Sequence, residues 1–132
     1  MKITNRQAVD MINTLAEMSD KILPRKLSFA ISKNMERLKI NIYKPYDVER
    51  IKIIKAYAVM DEDGHQKTDS HGLPAYTDRS AYEEELNALL EIENEFGMHT
   101  ISEELLDQCE KEEKYSDLTV KEYAALMKML EE

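Results

Sequence analysis

Several residue types are scarce in this 132-residue chain, which has one cysteine, three glycines, three prolines and no tryptophan. The single thiol, Cys109, has no partner for an internal disulfide, so the chain is not a disulfide-stapled secreted scaffold. The isolated glycines exclude a glycine-rich phosphate-binding loop. No apolar run is long enough to span a membrane, and no signal-peptide core follows Met1. We therefore expect a cytoplasmic protein that does not enter membranes.

Catalytic chemistry is also scarce. The sequence contains neither a nucleophile elbow nor a Cys–His arrangement suited to covalent catalysis. Cys109 lies among carboxylates, which should raise the pKa of its thiol and make it a poor nucleophile. Paired carboxylates occur on charged runs, where they favour solubility more often than acid–base catalysis. The sequence therefore predicts a protein that is not an enzyme and holds no cofactor.

The charge is divided along the chain. Residues 1–60 contain 12 Lys+Arg and 6 Asp+Glu, a net charge of +6. Residues 61–132 contain 6 Lys+Arg and 21 Asp+Glu, a net charge of −15. The sign changes at Asp61, the start of a turn-like segment. Such asymmetry indicates two electrostatically different faces, suited to a partner or to a second copy of the chain.

Length and composition favour one domain over residues 1–132. The hydrophobic content of 42% and the charged content of 34% are ordinary for a globular protein. We expect a helix-dominated α+β fold. Its basic part, residues 1–60, should form a helical hairpin, and its acidic part, residues 61–132, should combine a small β element with further helices.

The basic part carries two helix signals. Thr4 and Gln7 have the spacing of a capping box, which predicts a first helix over about residues 5–19. Pro24 is well placed to open a second, longer helix. Pro45 interrupts the apolar spacing of this second helix. We therefore expect either one kinked helix over about residues 24–59 or two helices that meet near Pro45. The kinked helix is favoured, since no glycine or polar cluster accompanies the proline.

The acidic part begins with residues that favour a loop or a small hairpin up to Asp78. Asp78 or Ser80 can cap a third helix over about residues 79–91. Residues 92–101 are the best strand candidate, and we expect the small β element to combine them with residues 73–78.

Two further helices are predicted near the end of the chain. One begins at Ser102, and the other follows a second capping box made by Thr119 and Glu122. The face expected to be buried on the last helix consists of Val120, Tyr123, Ala124, Met127 and Leu130.

The second helix has segregated faces. Its apolar stripe is Leu27, Ile31, Leu38 and Ile42, with Asn34 as a polar member. The candidate interaction residues are the cations of this helix and the carboxylates of the third helix, namely Lys26, Lys33, Arg37, Lys44, Glu83, Glu84 and Glu91. At 3.6 residues per turn the four cations lie within about 40° of one direction. They form either a solvated face or a docking face for the acidic part of a neighbouring copy. Direct nucleic-acid binding is not expected, because the acidic part would repel phosphates.

The turn at residues 61–64 does not fit a calcium-binding loop. With Gly64 at the sixth position of an EF-hand, the first position is Val59 and the twelfth is Ser70 instead of glutamate. His65, Asp69 and His71 share the following loop and form a weak pattern for a divalent metal. The pattern favours a solvated loop without metal, and the alternative is a metal-dependent nuclease site on Asp61, Asp63 and His65.

Five segments carry a resemblance to known proteins. They are LPRKLSFAISKN at 23–34, DEDG at 61–64, EELNALLEIE at 84–93, HTIS at 99–102 and LTV at 118–120. In this order they resemble a family of small phage and prophage proteins of Gram-positive bacteria, a domain of unknown function. The resemblance implies a phage context inside a bacterial host cell. It transfers no catalytic residue.

Two functional hypotheses follow. The first is a non-enzymatic interaction protein of a phage or prophage that acts in virion assembly or as an accessory factor. Its long helix is expected to mediate homo-oligomerisation, most simply as a dimer. The second is an acidic inhibitor that mimics nucleic acid and blocks a host DNA-binding protein. The protein partner itself is not identified by the sequence.

Overall fold

The structure of the protein, a computed structural model, describes residues 1–131. Its elements in chain order are β1 (Lys2–Thr4), α1 (Asn5–Glu17), α2 (Arg25–Leu38), α3 (Lys44–Tyr57), α4 (Arg79–Leu90), β2 (Glu93–Glu95), α5 (Glu103–Lys111) and α6 (Val120–Met127). Helices outweigh the two short strands, which confirms the helix-dominated α+β fold.

The helix starts lie where the capping residues predict them. Thr4 and Thr119 both form complete capping boxes, at the beginnings of α1 and α6. The side chain of Asp78, and not that of Ser80, accepts the hydrogen bond that caps α4. Ser102 caps α5 in the same way. Each cap satisfies a backbone amide that the helix itself leaves without an acceptor.

The helices α2 and α3 are joined by a π-helical turn, Lys39–Tyr43, and together form one helix over residues 25–57, here named the long helix. In this turn the amide of Lys44 donates to the carbonyl of Lys39, five residues back. Pro45 has no amide proton and would break the usual four-residue bonding pattern, so the wider turn directly before it accommodates the proline. The helix is therefore continuous through Pro45.

The hydrophobic core joins the two differently charged parts of the chain. The largest fully buried apolar side chains are Leu15, Leu27, Leu38, Leu106, Leu126 and Met129. They come from α1, the long helix, α5, α6 and the residues just after α6. Burying one leucine contributes about 1.5–3 kcal/mol, so both parts depend on this shared core.

The small sheet differs from the prediction. β2 pairs antiparallel with β1, with Ile3 opposite Asn94, so residues 73–78 are not its partner as we expected. The amide of Phe96 extends the pairing by donating to the carbonyl of Met1 at 2.8 Å. A three-residue strand is too short to show an alternating pattern, which is why the sequence does not reveal β1.

The buried face of α6 also differs from the prediction. Glu122, Ala125, Leu126 and Met129 face the core, whereas Val120 is 89% exposed. Met127 and Ala124, also predicted to be buried, are exposed. The prediction was wrong for these three residues, whereas Tyr123 and Leu130 are partly buried and pack against the core as predicted. A search for apolar spacing does not include the inward Glu122, and in a helix this short one such residue shifts the assignment of the face.

Residues 58–78 form a small meander of three extended pieces, which agrees with the hairpin alternative. The amide of Val59 donates to Ala75, that of Lys67 donates to Val59, and that of Ala75 donates to Lys67, at 2.8–3.0 Å. These three residues are eight positions apart, so the pieces close a ring of backbone hydrogen bonds. The backbone hydrogen bonds therefore repeat every eight residues, although few side chains recur at this interval in the sequence.

The two loops of the meander share one conformation. The side chains of Asp61 and Asp69 each accept hydrogen bonds from the amides two and four residues ahead, at 2.8–3.0 Å. Gly64 and Gly72 occupy equivalent positions with φ angles of 81° and 78°, a region that other residues rarely adopt. The aspartates and glycines are therefore explained by the turns that they form.

Candidate interaction surface

The outer face of the long helix carries large apolar side chains in solvent. Phe29 and Ile40 are 55% and 57% exposed, and Val48 and Ile51 are also exposed. Phe29 and Ile40 are eleven residues apart, about three turns, and Val48 and Ile51 follow beyond the π turn. We name these four residues the outer stripe. Single exposed apolar residues are normal, but four along one helix provide an unusual amount of exposed apolar surface.

The π turn keeps this face turned outward. On the opposite side, Leu38, Ile42 and Tyr46 follow one another at four-residue intervals and are buried. In an α-helix each such interval would rotate the side chain by about 40°, and two would turn Tyr46 well away from the core. A turn with five-residue hydrogen bonding contains more residues and cancels much of this rotation. The inner face therefore stays buried from Leu27 through the π turn to Tyr46.

The four predicted cations border the outer stripe in different ways. Lys26 and Lys44 are exposed, and the ammonium of Lys33 lies 5.7 Å from the ring centroid of Phe29, a cation–π distance. Arg37 instead donates through Nη1 to the carbonyl of Gly97 at 3.0 Å. Within residues 1–131, none of these four side chains has a carboxylate within 4.0 Å. Three cations are therefore available to an external anion.

A cleft of about 520 Å³ opens at the N-terminal end of the outer stripe. Its lining includes Arg25, Lys26, Phe29, Ile101, Leu105 and Glu131. Ile101 is buried and forms part of an apolar floor, while Arg25 and Lys26 are exposed at the rim. An apolar floor with a basic rim suits an apolar side chain that has negative charge beside it. Glu131 adds one carboxylate to the lining.

Asn34 fixes one wall of this cleft. Its side chain is fully buried, donates from Nδ2 to the carbonyl of His99 at 2.9 Å and accepts from the His99 amide at 2.7 Å. Both ends of the buried amide are therefore satisfied, which removes the cost of an unpaired polar group. The His99 ring then packs edge-on against Phe29, with centroids 5.6 Å apart. The sequence marks Asn34 as a polar residue in an apolar stripe but does not show this partner.

The predicted carboxylates lie on a separate surface. Glu91 Oε1 is 2.7 Å from Arg6 Nε, and Glu83 is 4.0 Å from Arg79. Glu84 is exposed and has no cation within 4.0 Å among the residues that the structure describes. Exposed ion pairs of this kind contribute only about 0–1 kcal/mol, so an external cation can replace the internal one. The structure does not bring the predicted cations and carboxylates together within one copy.

Asp61, Asp63 and His65 are the predicted metal residues that do come together. Their candidate ligand atoms lie within 4.8 Å of one another. Asp63 and His65 are exposed, and Asp61 Oδ1 already accepts two backbone amides at 2.9 Å. Across residues 1–131, the grouping includes neither Asp69 nor His71. Turn formation accounts for this arrangement.

Cys109 is buried, and burial is the largest cause that raises the pKa of its thiol. Glu110 raises the pKa further, as the sequence predicts for a neighbouring carboxylate, but it is the smaller cause. A buried thiol with a raised pKa is a poor nucleophile.

Comparison with known proteins gives no match to a protein-family model, a curated protein or a solved structure. Across residues 1–131 no helix combines the length and apolar character needed to cross a membrane. Function is therefore argued from the surfaces of the protein itself.

Proposed function

We propose that this protein is a non-enzymatic interaction protein of a phage or prophage that acts in virion assembly as an accessory factor. Its partner binds the outer stripe of the long helix. The observation that carries this proposal is the exposure of Phe29, Ile40, Val48 and Ile51 along the long helix, outside the hydrophobic core. Extended apolar surfaces with a charged border are typical of protein–protein contacts.

The phage context is supported by the five segments that resemble a phage and prophage family. One of them, residues 23–34, contains Phe29 together with Lys26 and Lys33 of the stripe border. The resemblance and the surface therefore point to the same stretch of helix. Neither one identifies the partner.

The test is affinity purification from phage-induced cells, with mass-spectrometric identification. We compare the unmodified protein with the double variant Ile40→Ser, Ile51→Ser and with the control Val120→Ser, which removes an apolar side chain exposed elsewhere. We expect a phage structural protein with the unmodified protein and the control, and at least a tenfold smaller yield with the stripe variant. Recovery of host proteins alone, or equal yields from all three, would refute the proposal.

The acidic inhibitor is the second candidate, and its supporting observation is the exposed row of Glu83, Glu84 and Glu91 on or next to α4. It predicts a basic host protein whose binding weakens steeply with salt, because exposed charges are screened. The same purification at low and high salt checks this candidate. Charge reversal at Glu84 should abolish such binding, whereas the stripe variant should leave it unchanged.

A further inference from the structure

The cleft beside Phe29 combines an apolar floor with a basic rim, and its complement is an exposed apolar side chain flanked by carboxylates. The chain itself contains such a segment directly after α4. Ile92 is 51% exposed and lies between Glu91 and Glu93, both exposed. Within one copy Ile92 is not among the residues that line the cleft. The Ile92 segment could therefore reach this cleft only in another copy of the chain.

We propose that this occupant is a second copy of the chain, which inserts Ile92 into the cleft and sets the acidic face of α4 along the basic border of α2. This inference rests on the proposed function of the outer stripe as a docking surface. It assigns the two separated groups of charged residues to the two sides of one contact.

The spacings on the two surfaces are similar. Eight residues separate Phe29 from Arg37, about 12 Å along α2, and eight separate Glu84 in α4 from Ile92, which lies two residues beyond the end of α4. With Ile92 at Phe29 and the two helices antiparallel, Glu84 lies near Lys33 and Arg37 of the neighbouring copy. Glu91 and Glu93 then lie close to Arg25 and Lys26 at the rim of the cleft. Opposite charges therefore face one another along the contact.

The contact joins two different surfaces, the cleft of one copy and the segment after α4 of the other. Repeated head to tail it gives a ring or a filament, and made twice about a two-fold axis, with the Ile92 of each copy in the cleft of the other, it gives a closed dimer. A two-fold contact between outer stripes alone would instead bring the lysine borders of both copies together, with no carboxylate from α4 between them. The dimer expected from the sequence is therefore compatible with the contact between the cleft and the Ile92 segment.

The experiment uses sedimentation velocity at concentrations up to the high micromolar range. One variant, Lys26→Gln with Phe29→Ser, removes the cleft side of the contact, and a second, Glu93→Gln with Ile92→Ser, removes the inserted side. The control, Lys121→Gln with Val120→Ser, changes one exposed charge and one exposed apolar residue on α6. Circular dichroism confirms that each variant is folded.

We expect the unmodified protein and the control to associate as concentration rises, into a closed dimer or into larger species. Each contact variant alone should be monomeric, with association weakened at least tenfold. An equimolar mixture of the two variants should form a one-to-one dimer and nothing larger, because only one intact contact remains between them.

Three results would overturn the inference. They are an unmodified protein that stays monomeric, an inserted-side variant that associates like the unmodified protein, or a mixture that stays monomeric. If these occur while the stripe variant still loses its phage partner, only the second copy is excluded and the proposed function stands. If self-association follows the expectation but no phage partner depends on the stripe, the proposed function fails alone.

Discussion

At the scale of single residues, Glu122 shows how a polar side chain can hold the core together. Its side chain is only 4% exposed, and Oε1 lies 2.6 Å from the ammonium of Lys21. The same carboxylate oxygen accepts the amide of Thr119 at 2.8 Å and completes the capping box of α6. Burial acts to raise the pKa of Glu122, but the hydrogen bonds from Lys21 and Thr119 outweigh it and hold the pKa below its usual value. The ionised form is therefore stabilised by folding.

We predict that Glu122→Gln lowers the free energy of unfolding by about 1–3 kcal/mol at pH 7, measured by urea denaturation. Because the pKa is lower in the folded state, the contribution is complete above the unfolded-state pKa, about 4.3. It is lost as pH falls from there through the folded-state pKa, so the difference from the unmodified protein should shrink on acidification. The control is Glu17→Gln, whose exposed carboxylate lies 3.9 Å from Lys121 and should contribute little. A difference that does not depend on pH would contradict the assignment.

At the scale of elements, the long helix contains a proline where helices ordinarily break. A proline in a helix interior costs about 3 kcal/mol relative to alanine. The π turn that precedes Pro45 supplies the five-residue hydrogen bond that avoids the conflict, so most of this cost should be absent. We predict that Pro45→Ala changes the free energy of unfolding by less than about 1 kcal/mol. The matched change is Ser32→Pro in the α-helical interior of α2, which should cost about 3 kcal/mol or more.

Both variants can be measured by denaturation and by circular dichroism. If Pro45→Ala stabilises the protein by as much as Ser32→Pro destabilises it, the π turn does not reduce the free-energy cost of a proline within the helix.

Much of the element order follows from short local signals. Thr4, Asp78, Ser102 and Thr119 start helices because each provides a side-chain acceptor for free backbone amides, and such bonds depend only on nearby sequence. The pairing of β1 with β2 and the inward position of Glu122 depend on residues about ninety or more positions away, so no local pattern contains them. The positions of Lys26, Lys33 and Lys44 on one helix face could be predicted from helical spacing. The cleft beside Phe29 could not be predicted, because its wall depends on the hydrogen bonds between Asn34 and the distant residue His99.

At the scale of the whole molecule, burial is distributed unevenly. The core lies among α1, α2, α5 and α6, where both charged parts of the chain meet. In α3 only Tyr46 is buried, and α4 has no buried residue. The meander and α4 are connected chiefly by side chains such as Tyr76 and Tyr82, whose stacked rings have centroids 4.0 Å apart. The proposed acidic docking face therefore lies on the part of the protein with the least buried apolar surface.

This distribution predicts two levels of protection in native-state hydrogen exchange. Amides of α1 and α2 should exchange only through global unfolding, whereas those of α4 and of the meander ring at Val59, Lys67 and Ala75 should open at lower free energy.

Leu126→Ala should lower the free energy of unfolding by about 2–5 kcal/mol and speed exchange throughout residues 1–131, because Leu126 belongs to the shared core. Tyr76→Ala should speed exchange in α4 and the meander while leaving α1 and α2 unchanged. Uniform protection, or faster exchange in α1 of the Tyr76→Ala variant, would contradict this prediction. The acidic face would then be as rigid as the core, and α4 would not become more ordered when it docks.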